Sequence, residues 1–165
     1  MEIHGSCYCG NIEFFAISHT PYPYMRCYCS ICRKTAGGGG YAINIMADGS
    51  SLMMEGERSY LAYHQARVED PERPGEWVTS PGRRHFCTGC GSALWVFDPR
   101  WPELVHPFAS AIDTPLPVPP EQVHVMLDFA APWVSVPKGE GHRHFPRYPE
   151  ESILEWHQRH GLYQP

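Results

Sequence analysis

Nowhere in the 165 residues do about eighteen apolar residues run uninterrupted, so the sequence offers no membrane-spanning helix. The opening MEIHGSCYCG lacks the apolar core of a secretion signal, which makes a cytoplasmic location the expectation. There is no run of lysine and arginine either. Thirteen basic residues stand against eighteen acidic ones, a net charge of −5, and that balance excludes bulk binding to nucleic acid. No segment of about 20 to 50 residues repeats, which argues against a solenoid or propeller. An even cysteine count is missing as well. Seven cysteines cannot all pair within one chain, and at short spacings in a reducing compartment they read as metal ligands before they read as disulfides.

What is present points to strands. Seventeen prolines, fifteen glycines and 13% aromatics suit short strands joined by many turns, because the first two interrupt helices and the third suits pleated surfaces. A chain of this length forms one ordinary domain, burying roughly 70% of its unfolded surface. Ile12, Phe14 and Ala16 alternate, as do Tyr41, Ile43 and Ile45, which is the period of half-buried strands. Further strands are predicted over 51–54, 59–64, 77–79, 83–86, 93–97, 104–109 and 122–129. Two stretches read as irregular: 65–76, charged and holding Pro71 and Pro74, and the proline-rich 114–120. Near the end, Pro149 and two glutamates precede Ile153, Trp156 and His160 at helical spacing, with Gly161 as the stop. The expected organisation is a mainly β domain over 1–149 with a C-terminal helix and tail, 150–165, packed on it.

The cysteines form three pairs or triplets. Cys7 and Cys9 flank one residue, and an extended backbone points both to the same side. Cys87 and Cys90 flank Thr88 and Gly89, the spacing of a zinc knuckle. Together they make a closed tetrahedral zinc site, the alternative being four reduced cysteines buried as small hydrophobes. Cys27, Cys29 and Cys32 combine both spacings in six residues and can cap one face of a second ion. Three ligands leave a fourth position for water or substrate, the mark that separates catalytic from structural zinc. A histidine could close that position instead, and spacing does not exclude His4, His19, His85 or His106.

Three thiolates more than neutralise Zn²⁺, so such a site activates water poorly and welcomes a fourth sulfur, held as the nucleophilic thiolate. Arg26, Arg33 and Lys34 flank the ligands and can pair with carboxylates of an anionic thiol, Arg33 and Lys34 being the chosen substrate-binding pair. The run from Gly37 to Gly40 then allows close backbone approach to a ligand.

Read together, Gly5-Ser-Cys-Tyr-Cys-Gly10, Cys27-Tyr-Cys-Ser-Ile-Cys-Arg-Lys34 and Phe86-Cys-Thr-Gly-Cys-Gly91 resemble the glutathione-dependent formaldehyde-activating enzyme family, also called the centromere protein V-like family. His124, Ala131-Pro-Trp133 and Phe145-Pro-Arg-Tyr-Pro149 look like its closing segments, so the resemblance spans residues 5–149. It implies an Mss4-like zinc-binding fold of meandering antiparallel strands with short helices. It also implies structural zinc on Cys7, Cys9, Cys87 and Cys90 and catalytic zinc on Cys27, Cys29 and Cys32. The family's named reaction joins glutathione to formaldehyde as S-hydroxymethylglutathione, a carbon-sulfur lyase reaction read in reverse. Where the family often has histidine between the second pair of cysteines, this chain has Tyr28, which does not shuttle protons readily near neutral pH. The competing readings are a non-catalytic zinc module and a redox- or zinc-responsive one. The partners expected are a small thiol and a carbonyl compound, with no nucleic acid or membrane, and homo-oligomerisation left open.

Overall fold

Alternation sets the first two strands. In β1 (Glu2–Ser6) and β2 (Ile12–Ile17), Ile3, Gly5, Ile12, Phe14 and Ala16 face inward and are buried, with Glu2, His4, Glu13 and the half-buried Phe15 on the other face. The computed structural model describes residues 1–36, 38–70 and 72–165, so Gly37 of the glycine run and Pro71 of the charged stretch lie outside the described residues. Along the chain follow β3 (Met25–Cys27), α1 (Ser30–Ala36), β4 (Ala42–Ile43), β5 (Ala47–Asp48), β6 (Met53–Gly56) and β7 (Leu61–Glu69). Then come β8 (Trp77–Cys87), β9 (Ala93–Phe97), β10 (Leu104–Pro107), β11 (Gln122–Val125), β12 (His142–His144) and α2 (Ile153–Arg159).

These strands make three sheets, ordered β1-β2-β6, β5-β10-β9-β8-β7 and β12-β11-β3-β4. The fold is mainly β and mainly antiparallel. The exceptions are β11 with β3 and β11 with β12, both parallel, with Val123 opposite Met25 and His124 opposite His144. One core cluster gathers Ile3, Ile12, Phe14, Leu94, Trp95 and Val105 around Cys7 and Cys87. A second gathers Tyr24, Val123, Val125 and Trp156 around Cys27.

The charged stretch 65–76 is less irregular than predicted. β7 continues through Glu69, with Val68 opposite Val78, because its residues alternate between half-buried and exposed. The strands predicted at 77–79 and 83–86 are one. Between the pairs Gln65–Arg83 and Arg67–Thr79 the register slips, so Ser80, Pro81 and Gly82 occupy a bulge where no ladder N–H is required of proline. In contrast, the strand predicted at 41–45 shrinks to two residues, and β1, β3, β12 and α1 were not among the expected elements.

At the C-terminus, Ser152 caps α2 through the Glu155 N–H, and the Glu155 carboxylate accepts from the Ser152 N–H in return. Gly161, at φ 66°, ends it. Trp156 is fully buried, stacked on Tyr24 at 3.8 Å between centroids, and its indole N–H donates to Glu121 at 2.9 Å. Truncation of such a tryptophan costs about 3–5 kcal/mol.

Candidate metal centres

The first cysteine pair sits in the turn between β1 and β2, the last in the turn between β8 and β9. Both turns close in the same way. The Gly10 N–H donates to the Cys7 carbonyl at 3.1 Å and the Gly91 N–H to the Cys87 carbonyl at 2.8 Å. The two glycines stand at φ 76° and 77°, a conformation that side chains rarely adopt. The four sulfurs lie within 4.8 Å of one another, with 3.5 Å between Cys7 and Cys9 and 3.7 Å between Cys9 and Cys87. A tetrahedral ion with zinc–sulfur bonds near 2.3 Å requires about 3.8 Å along each edge. The donor set therefore fits zinc.

The surroundings act unevenly on the four sulfurs. The Ile12 N–H and the Asn11 amide each donate to a sulfur, Cys7 and Cys9 respectively, at 3.3 Å. The Ser92 hydroxyl, 3.2 Å away, helps lower the exposed Cys90 to about 6, while burial pushes Cys87 up to about 12. Because Cys9 and Cys90 are exposed, the four are not simply buried hydrophobes.

The triplet is built differently. Cys27 ends β3, Cys29 stands at the entrance to α1, and Cys32 lies in its first turn. All three sulfurs lie within 4.8 Å of one another. Cys29 takes the place of a capping side chain, its sulfur accepting the Cys32 N–H at 3.3 Å. Hydrogen bonds from Cys27 and Cys32 hold Cys29 far below the usual thiol range, and the same contacts push Cys32 up. Among the described residues no histidine, aspartate or glutamate joins the three sulfurs. His4 is bonded to Glu2 and His85 is stacked on Trp95, so neither closes the site. The Tyr148 hydroxyl does reach it, 3.6 Å from the Cys27 sulfur, although its ring is solvent-exposed.

Beside Cys29 opens a groove of about 540 Å³. The β7–β8 hairpin supplies Arg67 and Trp77, and the segment after β11 supplies Met126 and Phe129, with Arg147 beside them. Arg147 lies 4.2 Å over the Phe129 ring and pairs with Asp128 at 3.1 Å. Met126, at φ 61°, is the one non-glycine residue with positive φ among the described residues, a strained conformation at the groove wall. Arg33 and Lys34 do not line this groove; Lys34 lines a separate, smaller cavity. Residues 67, 77, 129, 147 and 148 were not singled out from sequence, since no spacing ties them to the cysteines. Only the family-like segment ending at Pro149 hinted at Tyr148.

Tyr28 is not a free proton carrier. It is fully buried, and its hydroxyl donates to His124 Nδ1 at 2.8 Å. Burial, His144, Arg26 and His142 push His124 down to about 4, so its ring is neutral at pH 7. A neutral ring that accepts at Nδ1 has Nε2–H free to donate to His142 Nδ1, 3.0 Å away. Because the folded value lies below the ordinary 6.5, the stabilisation is complete above about pH 6.5 and is lost as pH falls towards 4. It amounts to on the order of 3 kcal/mol. An imidazole NMR titration of His124 should show no protonation above pH 5; a midpoint near 6.5 would show that the buried chain of hydrogen bonds does not form.

Among the described residues no helix is long and apolar enough to cross a membrane. Compared with known proteins, residues 2–127 match the family model described as glutathione-dependent formaldehyde-activating enzyme. A Halomonas elongata protein named "Putative glutathione-dependent formaldehyde-activating enzyme" is 56% identical over 162 residues, covering 98% of each chain. A crystal structure of a Rhodobacter sphaeroides protein superimposes with a TM-score of 0.47 at 21% identity, over 69% of this chain and 91% of that one. With the family model spanning most of its length and a relative of this identity, the chain belongs to the glutathione-dependent formaldehyde-activating enzyme family.

Proposed function

We propose that this protein catalyses addition of a small anionic thiol, of the glutathione type, to an aldehyde such as formaldehyde, the synthetic direction of a carbon-sulfur lyase. The observation that carries the reading is the triplet Cys27, Cys29 and Cys32, three sulfurs joined by no fourth ligand of the usual kinds among the described residues, with Cys29 lining a groove of a size for a peptide-like thiol. Two zinc ions per chain fit the two clusters: Cys7, Cys9, Cys87 and Cys90 hold the structural one, and Cys27, Cys29 and Cys32 the catalytic one. Zinc bound at the triplet supplies a site where a thiol is held as thiolate at neutral pH.

The chain's own groups do the rest. Trp77 and Phe129 give the groove apolar walls that pack the substrate and limit water, and Arg67 offers a cation to a carboxylate. The substrate sulfur forms a bond to the carbonyl carbon, and the C=O π pair moves to oxygen. That oxygen takes up one proton, balancing the one released when the thiol bound. Tyr148, whose hydroxyl lies 3.6 Å from the Cys27 sulfur, would donate a hydrogen bond to the oxygen as its charge develops.

Titration of the cobalt-substituted protein with glutathione should change the sulfur-to-metal absorption, and S-methylglutathione should not. An unchanged spectrum, or equal responses to both, would refute thiol ligation. Tyr148→Phe should lower the rate of adduct formation about 100-fold while leaving that spectral response intact. An undiminished rate would remove Tyr148 from the mechanism.

A further inference from the structure

The groove beside Cys29 is more apolar than a thiol and formaldehyde require. Its apolar lining comes from Ile31, Val68, Pro74, Trp77, Met126 and Phe129. Trp77 is 58% exposed and Phe129 38%, so two large rings are left uncovered in one concave surface. Scattered surface aromatics need no explanation, but rings gathered in a groove mark a place where a ligand packs.

The charges around these rings are largely committed within the protein. Asp70 pairs with Arg73 at 2.9 Å and accepts the Glu72 N–H, Glu69 accepts the Gly75 N–H at 2.7 Å, and Arg147 is held by Asp128. Of the groove's charged side chains only Arg67 has no partner among the described residues. A second charged group on a ligand would have to displace one of these contacts, so the apolar part of the groove suits an uncharged occupant. Neither substrate named so far supplies one. A glutathione-type thiol presents amides, carboxylates and an ammonium group but no apolar side chain, and formaldehyde has a single carbon. Arg67 accounts for a carboxylate of the thiol, while the apolar lining has no counterpart in either molecule.

We propose that the carbonyl substrate of this protein is an aldehyde bearing an apolar substituent, which packs on Trp77 and Phe129 while its carbonyl carbon meets the thiol beside Cys29. The bond made is the one already described: thiolate sulfur to carbonyl carbon, the C=O π pair moving to oxygen, and one proton taken up there to balance the proton lost by the thiol. The substituent keeps all its bonds. Its role is to hold the reacting carbon in place, and the water it releases from both rings favours the bound aldehyde over the free one. Trp77 and Phe129 are thereby specificity-determining residues. The inference rests on the thiol-addition reading for its chemistry and on the groove alone for its ligand.

With glutathione, the zinc-loaded protein should accelerate adduct formation about tenfold more for phenylacetaldehyde than for formaldehyde, comparing kcat/KM with the uncatalysed rate constant in each case. Glyceraldehyde, larger than formaldehyde but polar, should gain nothing over it. Trp77→Ala and Phe129→Ala should each lower kcat/KM for phenylacetaldehyde about tenfold more than for formaldehyde. Equal acceleration of phenylacetaldehyde and glyceraldehyde, or equal losses for phenylacetaldehyde and formaldehyde in both variants, overturns the proposal. Binding is read separately with 2-phenylethanol, which has no carbonyl for a thiol to attack. It should shift the Trp77 indole NMR signal saturably, and an unmoved signal overturns the proposal whatever glutathione does to the cobalt spectrum. If the alcohol shifts Trp77 while that spectrum stays silent towards glutathione, the apolar site stands and the thiol-ligation reading falls.

Discussion

Cys87→Ser is expected to leave no stably folded protein, even though it changes one atom. Cys87 is fully buried beside Trp95 and Leu94, and its sulfur is shared by a cluster that ties the β1–β2 turn to the β8–β9 turn across 78 positions of sequence. Metal binding by closed structural zinc sites contributes on the order of 10–16 kcal/mol, whereas a domain retains only about 5–15 kcal/mol in total. Losing one of four ligands therefore removes a term as large as the whole margin. The measurement is soluble yield with metal content and a thermal melt. A cooperative melt close to that of the parent, with one zinc fewer, would show that the closed cluster does not hold the fold.

Cys29→Ser is expected to do the opposite, abolishing accelerated adduct formation while the protein remains folded. The triplet clamps only six adjacent residues, and Cys29 and Cys32 are partly exposed, so the site adds little crosslinking to the two cores. Yet Cys29 faces the groove, and its sulfur is the one the local hydrogen bonds ionise most readily. The parent melt with loss of the second zinc and of the glutathione response is the expected outcome. Retained turnover would move the chemistry elsewhere.

The contrast between these two variants follows from features that spacing could reveal. Two residues apart on extended chain, or three apart around a glycine turn, already fixes which sulfurs can share an ion, and the structure brings together the same two groups. Alternation likewise marked β2, the residues that bound it marked β9, and the proline-acid start and Gly161 marked α2. What spacing could not reveal is what faces the triplet. Arg67 and Trp77 share a groove with Cys29 only because the β7–β8 hairpin comes beside the start of α1, and Tyr148 meets Cys27 only because the chain returns after β12. Reading proline and glycine as strand ends misled where ladder bonds were spared: Pro81 divided the predicted strands but not β8, because the bulge had no use for its N–H. Tyr28 reads as a lost proton shuttle from sequence alone, yet its hydroxyl is bonded to His124 inside the protein.

The parallel pairing of β3 with β11 sets an order of assembly. Met25, Arg26 and Cys27 are held in place by residues 123–125, nearly a hundred positions later, whereas the four-cysteine cluster is complete once residue 90 has been made. A ribosome adding roughly 5–20 residues per second leaves a gap of about two to seven seconds between the two. During that gap the four-cysteine cluster can already form while the strand carrying Cys27 is paired with β4 on one side only and still lacks β11 on the other. Each newly made molecule thus acquires its scaffold before the triplet is fully framed, and a thiol meets an ordered triplet only after residue 125 has been made.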